Sequence, residues 1–220
     1  MGVRIRWLGH ASFQIKTENK VIYIDLYRPK QLRKKVPDKL EPATVVLVTH
    51  SHNDHLFPEA INEVRTDDTI VVAPENCGEK LDYAFKSLKP GDESTFNGVD
   101  VKAVHAYNVK RFRSPGNPFH PKGFGVGYLI KLEGKTIYFA GDTDVIPEMK
   151  DLGDIDIALL PSGDTYTMDN KDAAEATRII KPKVAIPMHT WDKSVDEFKK
   201  RIADLDTKFV ALKEGEEFTF

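Results

Sequence analysis

Three histidines and an aspartate crowd into Thr49-His50-Ser51-His52-Asn53-Asp54-His55. Imidazole nitrogens and carboxylate oxygens are the donors that hold Zn²⁺, Fe²⁺ or Mn²⁺. Alternation along an extended segment sends His50 and His52 to one side, while Asp54 and His55 serve a neighbouring position as the chain turns into a helix. The chain has seven histidines in all, so three within six residues are poorly explained as a merely polar loop. Further donors follow apolar runs elsewhere: His105 after Val101–Val104, Asp142 after Thr136–Ala140 and Gly141, and His189 after Val184–Pro187. Each alone would be an ordinary surface residue. Repeated at strand ends, they can converge on one centre.

The elements that position them read as short strands and helices without a linker. Val3–Leu8, Phe13–Lys16 and Val21–Ile24 form an N-terminal antiparallel set. Thr44–Thr49 is a β-branched apolar run of the kind buried on both faces. Ile70–Ala73, Val101–Ala106, Gly125–Lys131, Thr136–Ala140, Ile155–Leu160, Val184–Pro187, Lys208–Leu212 and Glu217–Phe220 are further strands. Pro58 opens a helix to about Val64. Leu81, Ala84, Phe85 and Leu88 keep helical spacing, and Asn170 caps a helix through Ile180 that Pro182 ends. Ser194 with Glu197 is a capping box for a helix whose apolar stripe is Val195, Phe198, Ile202 and Leu205. Strand runs in both halves, each followed by helices, predict an α/β sandwich, with two mainly antiparallel or mixed sheets face to face and helices outside, in one domain over residues 1–220.

The motif His50-x-His52-x-Asp54-His55, followed by His105, Gly141-Asp142-Thr143 and Met188-His189, resembles the ordered motifs of the metallo-β-lactamase superfamily over nearly the whole chain. Trp7-Leu8-Gly9-His10-Ala11-Ser12-Phe13 and Ala185-Ile186-Pro187-Met188-His189 resemble the branch that includes L-ascorbate-6-phosphate lactonase and many uncharacterised metal-dependent hydrolases. The resemblance implies an αββα sandwich and two divalent metal ions, zinc first, with manganese or iron as alternatives. It implies His50, His52 and His105 on one ion, Asp54, His55 and His189 on the other, and Asp142 bridging. A hydroxide shared by paired metals is available near neutral pH and attacks an ester, lactone or phosphodiester bond. Asp54 is also a candidate to accept or relay a proton. The resemblance places Asp25 near the metals but not on them. Asn53 and Asp164 depart from the family pattern, and neither is an expected ligand.

His10 and His120 are the other candidates for a catalytic role. His120 lies in an acid-free stretch, Val101–Leu132, that carries Lys110, Arg111, Arg113 and Lys122 among Phe112, Phe119 and Phe124. Prolines and glycines make it an ordered irregular loop. Because Arg suits paired contacts to carboxylate or phosphate, these four cations are candidate contacts for a small anionic substrate. Arg28 to Lys39 is a second basic stretch. Solvated loops or a contact between copies of the chain is the bland reading of both.

Composition bounds the rest. A chain that is 40% hydrophobic and 30% charged with net charge −2 is globular, with no whole-chain attraction to nucleic acid or membrane. No apolar run approaches the roughly 20 residues of a membrane span, no signal-peptide pattern opens the chain, and Cys77 is its single cysteine. A cytoplasmic protein is the expectation. The competing functions are an RNA or DNA phosphodiesterase, which lacks room here for the extra domain of superfamily nucleases; a di-iron oxidoreductase, whose motif Glu and flavin domain are absent; and a non-catalytic metal-binding module, which complete ligands argue against.

Overall fold

The computed structural model describes residues 2–28 and 39–220. The N-terminal strands β1 (Arg4–Gly9), β2 (Ser12–Lys16) and β3 (Val21–Ile24) pair antiparallel as the apolar pattern predicts. From β3 the sheet turns parallel through β4 (Val45–Leu47), β5 (Ile70–Ala73) and β6 (Lys86–Ser87). The last strand of the chain, β16 (Glu217–Thr219), closes its other edge against β1. The second sheet repeats the plan. Strands β7 (Glu93–Phe96), β8 (Val99–Ala106), β11 (Gly125–Leu132) and β12 (Lys135–Phe139) are antiparallel neighbours. From β12 the order continues in parallel through β13 (Ile157–Pro161), β14 (Val184–Met188) and β15 (Lys208–Phe209). Each sheet has seven strands among the described residues.

Alternation along the strands divides the apolar residues between two cores. Ile22, Ile24, Val45, Leu47 and Val72 face the second sheet and join Val101, Tyr128, Ile137 and Leu159 in the inter-sheet core. Their neighbours Tyr23, Val46, Val48, Val71 and Ala73 face outward and are covered by Ala60, Ile61 and Val64 of helix α1 (Pro58–Val64). Helix α2 (Asn170–Ile180) lies against β13 and is followed by α3 (Asp196–Arg201) beside it. The result is the expected αββα sandwich. No helix among the described residues is long and apolar enough to cross a membrane.

Four local expectations are corrected. The helical spacing at Leu81–Leu88 is not a helix; the segment ends in β6. Leu81 belongs to the outer core and Leu88 to the inter-sheet core, so one apolar stripe would have had to serve two opposite faces. Asp169, not Asn170, caps α2, accepting the Lys171 and Asp172 N–H groups at 2.8 Å each. The capping box at Ser194 is half made: Ser194 Oγ accepts the Asp196 N–H at 3.2 Å, while Glu197 pairs with Arg201 at 2.9 Å. The acid-free loop contains a small ribbon, β9 (Phe112–Ser114) against β10 (Asn117–Pro118), rather than irregular chain. Most of the basic stretch from Arg28 to Lys39 lies outside the described residues.

Candidate metal centre

The chemistry-bearing residues gather at the carboxyl ends of strands on either side of the point where each sheet changes from antiparallel to parallel, the usual place for a site in a sheet of this kind. Asp25 follows β3 and Thr49-His50 follow β4; Asp142 follows β12, Gly163 follows β13 and His189 follows β14. Several sit in backbone conformations that side chains seldom adopt: His10 at φ 52°, Asp25 at 46° and His189 at 51°. Such strain persists only where surrounding contacts over-determine it. Gly141, at φ 65°, lets the chain turn sharply into Asp142, and a Cβ there would stand 2.8 Å from the Val126 carbonyl oxygen. At Gly163 a Cβ would fall 1.9 Å from the His189 carbonyl oxygen, so only glycine allows the β13 and β14 termini to approach this closely.

Two groups of donors share an edge. His50, His52 and His120 form one; His10, Asp54, His55 and His189 form the other, and His50, His55 and Asp142 lie between them. In the first group His50 Nε2 stands 3.0 Å from His52 Nδ1, and His120 Nε2 stands 3.2 Å from the same atom. Donors around a tetrahedral zinc ion, with bonds near 2.0–2.1 Å, are about 3.3 Å apart. Asp142 reaches both groups: its Oδ2 is 3.2 Å from His120 Nε2 and 3.4 Å from His189 Nε2, and its Oδ1 is 3.3 Å from His55 Nε2. Among the described residues, His55 Nε2, His189 Nε2 and Asp142 Oδ1 are buried without a hydrogen-bond partner. Buried polar atoms are rarely left so, and three of them aimed at one point fit a cation.

Three of the imidazoles are held from behind. Asp25, fully buried, accepts the Thr49 N–H and hydroxyl at 2.7 Å each and receives His55 Nδ1 at 2.7 Å, which turns His55 Nε2 to the centre. Thr49 Oγ1 meets His50 Nδ1 at 2.9 Å, and Asn108 Oδ1 meets His120 Nδ1 at 2.8 Å. Partners of this kind fix ring orientation and tautomer in metal sites. Burial, then the nearby His55, holds His50 well below its ordinary value, and burial followed by His120 lowers His52 to about 4. Both are therefore neutral at pH 7, the form in which an imidazole can bind a metal ion. Burial opposes the charge on Asp142, but His189 and His55 outweigh it and keep the carboxyl well below its usual range. Asp54 is likewise kept below its usual value, burial being outweighed by the hydrogen bond from His10 and the proximity of His55.

The structure brings together His50, His52, Asp54, His55, Asp142 and His189 of the expected ligands, and adds His10 and His120. It does not bring in His105. That residue is still inside the β8 ladder, opposite Val126 of β11. It lines a separate cavity with Tyr138 and Glu148, and belongs to none of the metal-competent groups among the described residues. The chain leaves the sheet only after Ala106, and the loop returns to lay His120 and Phe124 over His52, with ring centroids at 4.9 and 5.0 Å. His120, not His105, completes the three-histidine group with His50 and His52 among the described residues.

The basic loop is also corrected. Arg111 is spent on Asp144 at 2.8 Å and Asp172 at 2.5 Å, Lys110 on Asp172 at 2.9 Å, and Lys122 on Glu148 at 2.7 Å. Arg113 lies over the Phe119 ring at 5.4 Å. None of the four lines the cavity at the centre. Asp164 is a turn residue at φ 66° that faces Arg111 at 3.4 Å. Sequence reasoning passed over Asn108, Asp144, Thr49 and Trp191. Of these, Thr49, Asp144 and Trp191 stood in or beside a recognised motif, and Asn108 did not.

Imidazoles and carboxylates converging at the mouth of an αββα sandwich define a metal-dependent hydrolase of the metallo-β-lactamase class. Comparison with known proteins agrees. The β-lactamase superfamily domain profile matches residues 4–189. A UPF0173 metal-dependent hydrolase of Pyrococcus abyssi is 34% identical, over 98% of this chain and 98% of its own. A protein of Parabacteroides distasonis described as a metal-dependent hydrolase is 36% identical in its crystal structure, with a TM-score of 0.87 over 97% of this chain and 94% of its own. A metallo hydrolase from the hyperthermophilic archaeon Ignicoccus hospitalis is 25% identical, with a TM-score of 0.78 over 100% of this chain and 99% of its own. The chain belongs to the β-lactamase superfamily, among the UPF0173 metal-dependent hydrolases.

Proposed function

We propose that the protein hydrolyses an ester, lactone or phosphodiester bond of a small molecule, using two divalent ions held on either side of Asp142. The observation that carries this reading is the reach of the Asp142 carboxylate to His120 and His189 through one oxygen and to His55 through the other. His50, His52 and His120 would hold one ion and Asp54, His55 and His189 the other. Zinc suits this imidazole-rich set best, with manganese and iron as alternatives. Ions bound there would supply hydroxide near neutral pH and polarise the oxygen of the scissile bond.

The remaining chemistry belongs to the chain. His10 Nε2 lies 3.0 Å from Asp54 Oδ2, and burial, the largest influence on it, lowers its proton affinity. In the neutral form that burial favours, His10 therefore orients the Asp54 carboxylate through its Nε2–H. The preference for an anionic substrate loses its motive, since Lys110, Arg111 and Lys122 are neutralised by Asp172, Asp144 and Glu148.

Elemental analysis of protein isolated without chelator should find about two ions per chain, the number that seven donors support. Asp142→Asn should reduce both metal content and turnover on a panel of esters, lactones and phosphodiesters, by far more than the ~10–100-fold typical of residues behind the ligands. Wild-type metal content with activity inside that range would remove Asp142 from the bridging position.

A further inference from the structure

A cavity of about 310 Å³ opens beside the centre, and its walls include His10 and Asp54 of the second donor group. The chain has two tryptophans, and both, Trp7 and Trp191, line this cavity together with Tyr27. Trp191 is held over the metal-facing histidines, its ring centroid 4.6 Å from His10 and 5.3 Å from His189, while remaining 49% exposed. Trp191 and Asp192 lie at φ 50° and 58°. A large aromatic ring kept half in water by an unfavoured backbone is costly to a fold and characteristic of a ligand clamp. Trp7 is fixed by its indole N–H, which donates to the His10 carbonyl at 2.9 Å, so the same turn sets both the histidine and the opposite wall.

The charge of the lining narrows the ligand. Asp54, Asp192 and Glu214 are its acidic members. The basic one among the described residues, Arg28, is 2% exposed and paired with Glu63 at 3.1 Å. Pockets that hold drug-sized molecules run from about 300 to 1,000 Å³, so this one suits a single ring with short substituents.

Resting on the hydrolase reading above, we propose that this cavity is the specificity pocket, and that it takes an uncharged, ring-bearing apolar portion of an ester or lactone, in preference to an anionic one. Aromatic walls supply apolar area and offset or edge-on ring contacts. Asp192 and Glu214, the lining carboxylates outside the metal-competent groups, repel an anion. A phosphodiester is thereby disfavoured.

Because both tryptophans line the cavity, intrinsic fluorescence reports on it without turnover. Metal-loaded full-length protein would be titrated with benzyl alcohol and, as a matched anion that coordinates metals weakly, benzenesulfonate. Benzyl alcohol should give a saturable change, and benzenesulfonate should bind about tenfold more weakly or worse. Trp191→Ala, at an exposed position that leaves Trp7 as reporter, should weaken benzyl alcohol by about tenfold or more, with circular dichroism and metal content unchanged. No saturable response to benzyl alcohol, equal affinity for the sulfonate, or undiminished affinity in Trp191→Ala would each overturn the proposal. Binding as expected without turnover of any neutral aryl ester or lactone would uphold the pocket and count against the hydrolytic reading instead.

Discussion

Asn108 Oδ1 accepts the His120 backbone N–H and the His120 Nδ1–H, both at 2.8 Å. The amide cannot be the other way round, because its Nδ2 donates to the Tyr166 carbonyl at 2.9 Å. His120 must therefore carry its proton on Nδ1, which leaves the Nε2 lone pair facing His52 and Asp142. The Asn108 N–H also donates to the His120 carbonyl at 2.9 Å. One residue thus clamps the returning end of the loop and selects the ligand tautomer of its histidine.

Asn108→Ala should weaken metal binding at the His50, His52 and His120 group by the ~10–100-fold expected when a ligand loses its orienting partner. The measurement is competition with a chelator of known affinity. His120→Ala should do more, leaving about one ion per chain by elemental analysis. His105→Ala is the informative control, because His105 is opposite Val126 and outside the donor groups. Loss of an ion in His105→Ala, with His120→Ala fully loaded, would return the third imidazole to β8.

Gly163→Ala should be among the most damaging single-methyl additions in the protein. The added Cβ would meet the His189 carbonyl carbon at 3.0 Å as well as its oxygen at 1.9 Å, and both are backbone atoms that cannot rotate away. To relieve the clash the β13 and β14 termini must separate, carrying His189 from Asp142. Loss of metal with a drop in thermal stability is expected, at the upper end of the about 1–3 kcal/mol typical of overpacking. A variant with wild-type melting temperature and metal content would show that the two strand ends are not held this closely.

What could be read from the sequence follows the range over which each pattern acts. Strand positions and the His50–His55 cluster depend on local periodicity and a dense motif, and both appear where expected. His10 and His120 stood out by residue type, but their partners Asp54 and Asn108 depend on loop closure that no local pattern records. The choice between His105 and His120 was of this kind: a histidine near a strand end looks equivalent until the ladder register places it opposite Val126. The cations of the loop misled for a similar reason. A stretch free of acids along the chain finds its acids in space, at Asp144, Glu148 and Asp172.

That last network should leave a pH signature. Asp144, fully buried, accepts the N–H groups of Val109, Lys110 and Arg111 at 2.8, 2.7 and 3.2 Å, and Arg111 bridges it to Asp172. Burial would raise the Asp172 carboxyl, but its bonds from Lys110 and Arg111 outweigh that and lower it from 3.8. A carboxyl depressed in the folded state stabilises the fold above its unfolded value, and the contribution fades as pH falls through the folded one. Asp172→Asn keeps the shape and removes the charge, so it should cost about 2 kcal/mol at neutral pH, the scale of hydrogen bonds to charged groups. Denaturant titrations of wild type and variant should therefore differ at pH 7, begin to converge as pH falls below about 4, and coincide only below the depressed folded value. A difference that persists undiminished in acid would mean that Asp172 acts through shape alone. No difference at neutral pH would mean that Asp144 holds Arg111, and with it the approach to His120, without help.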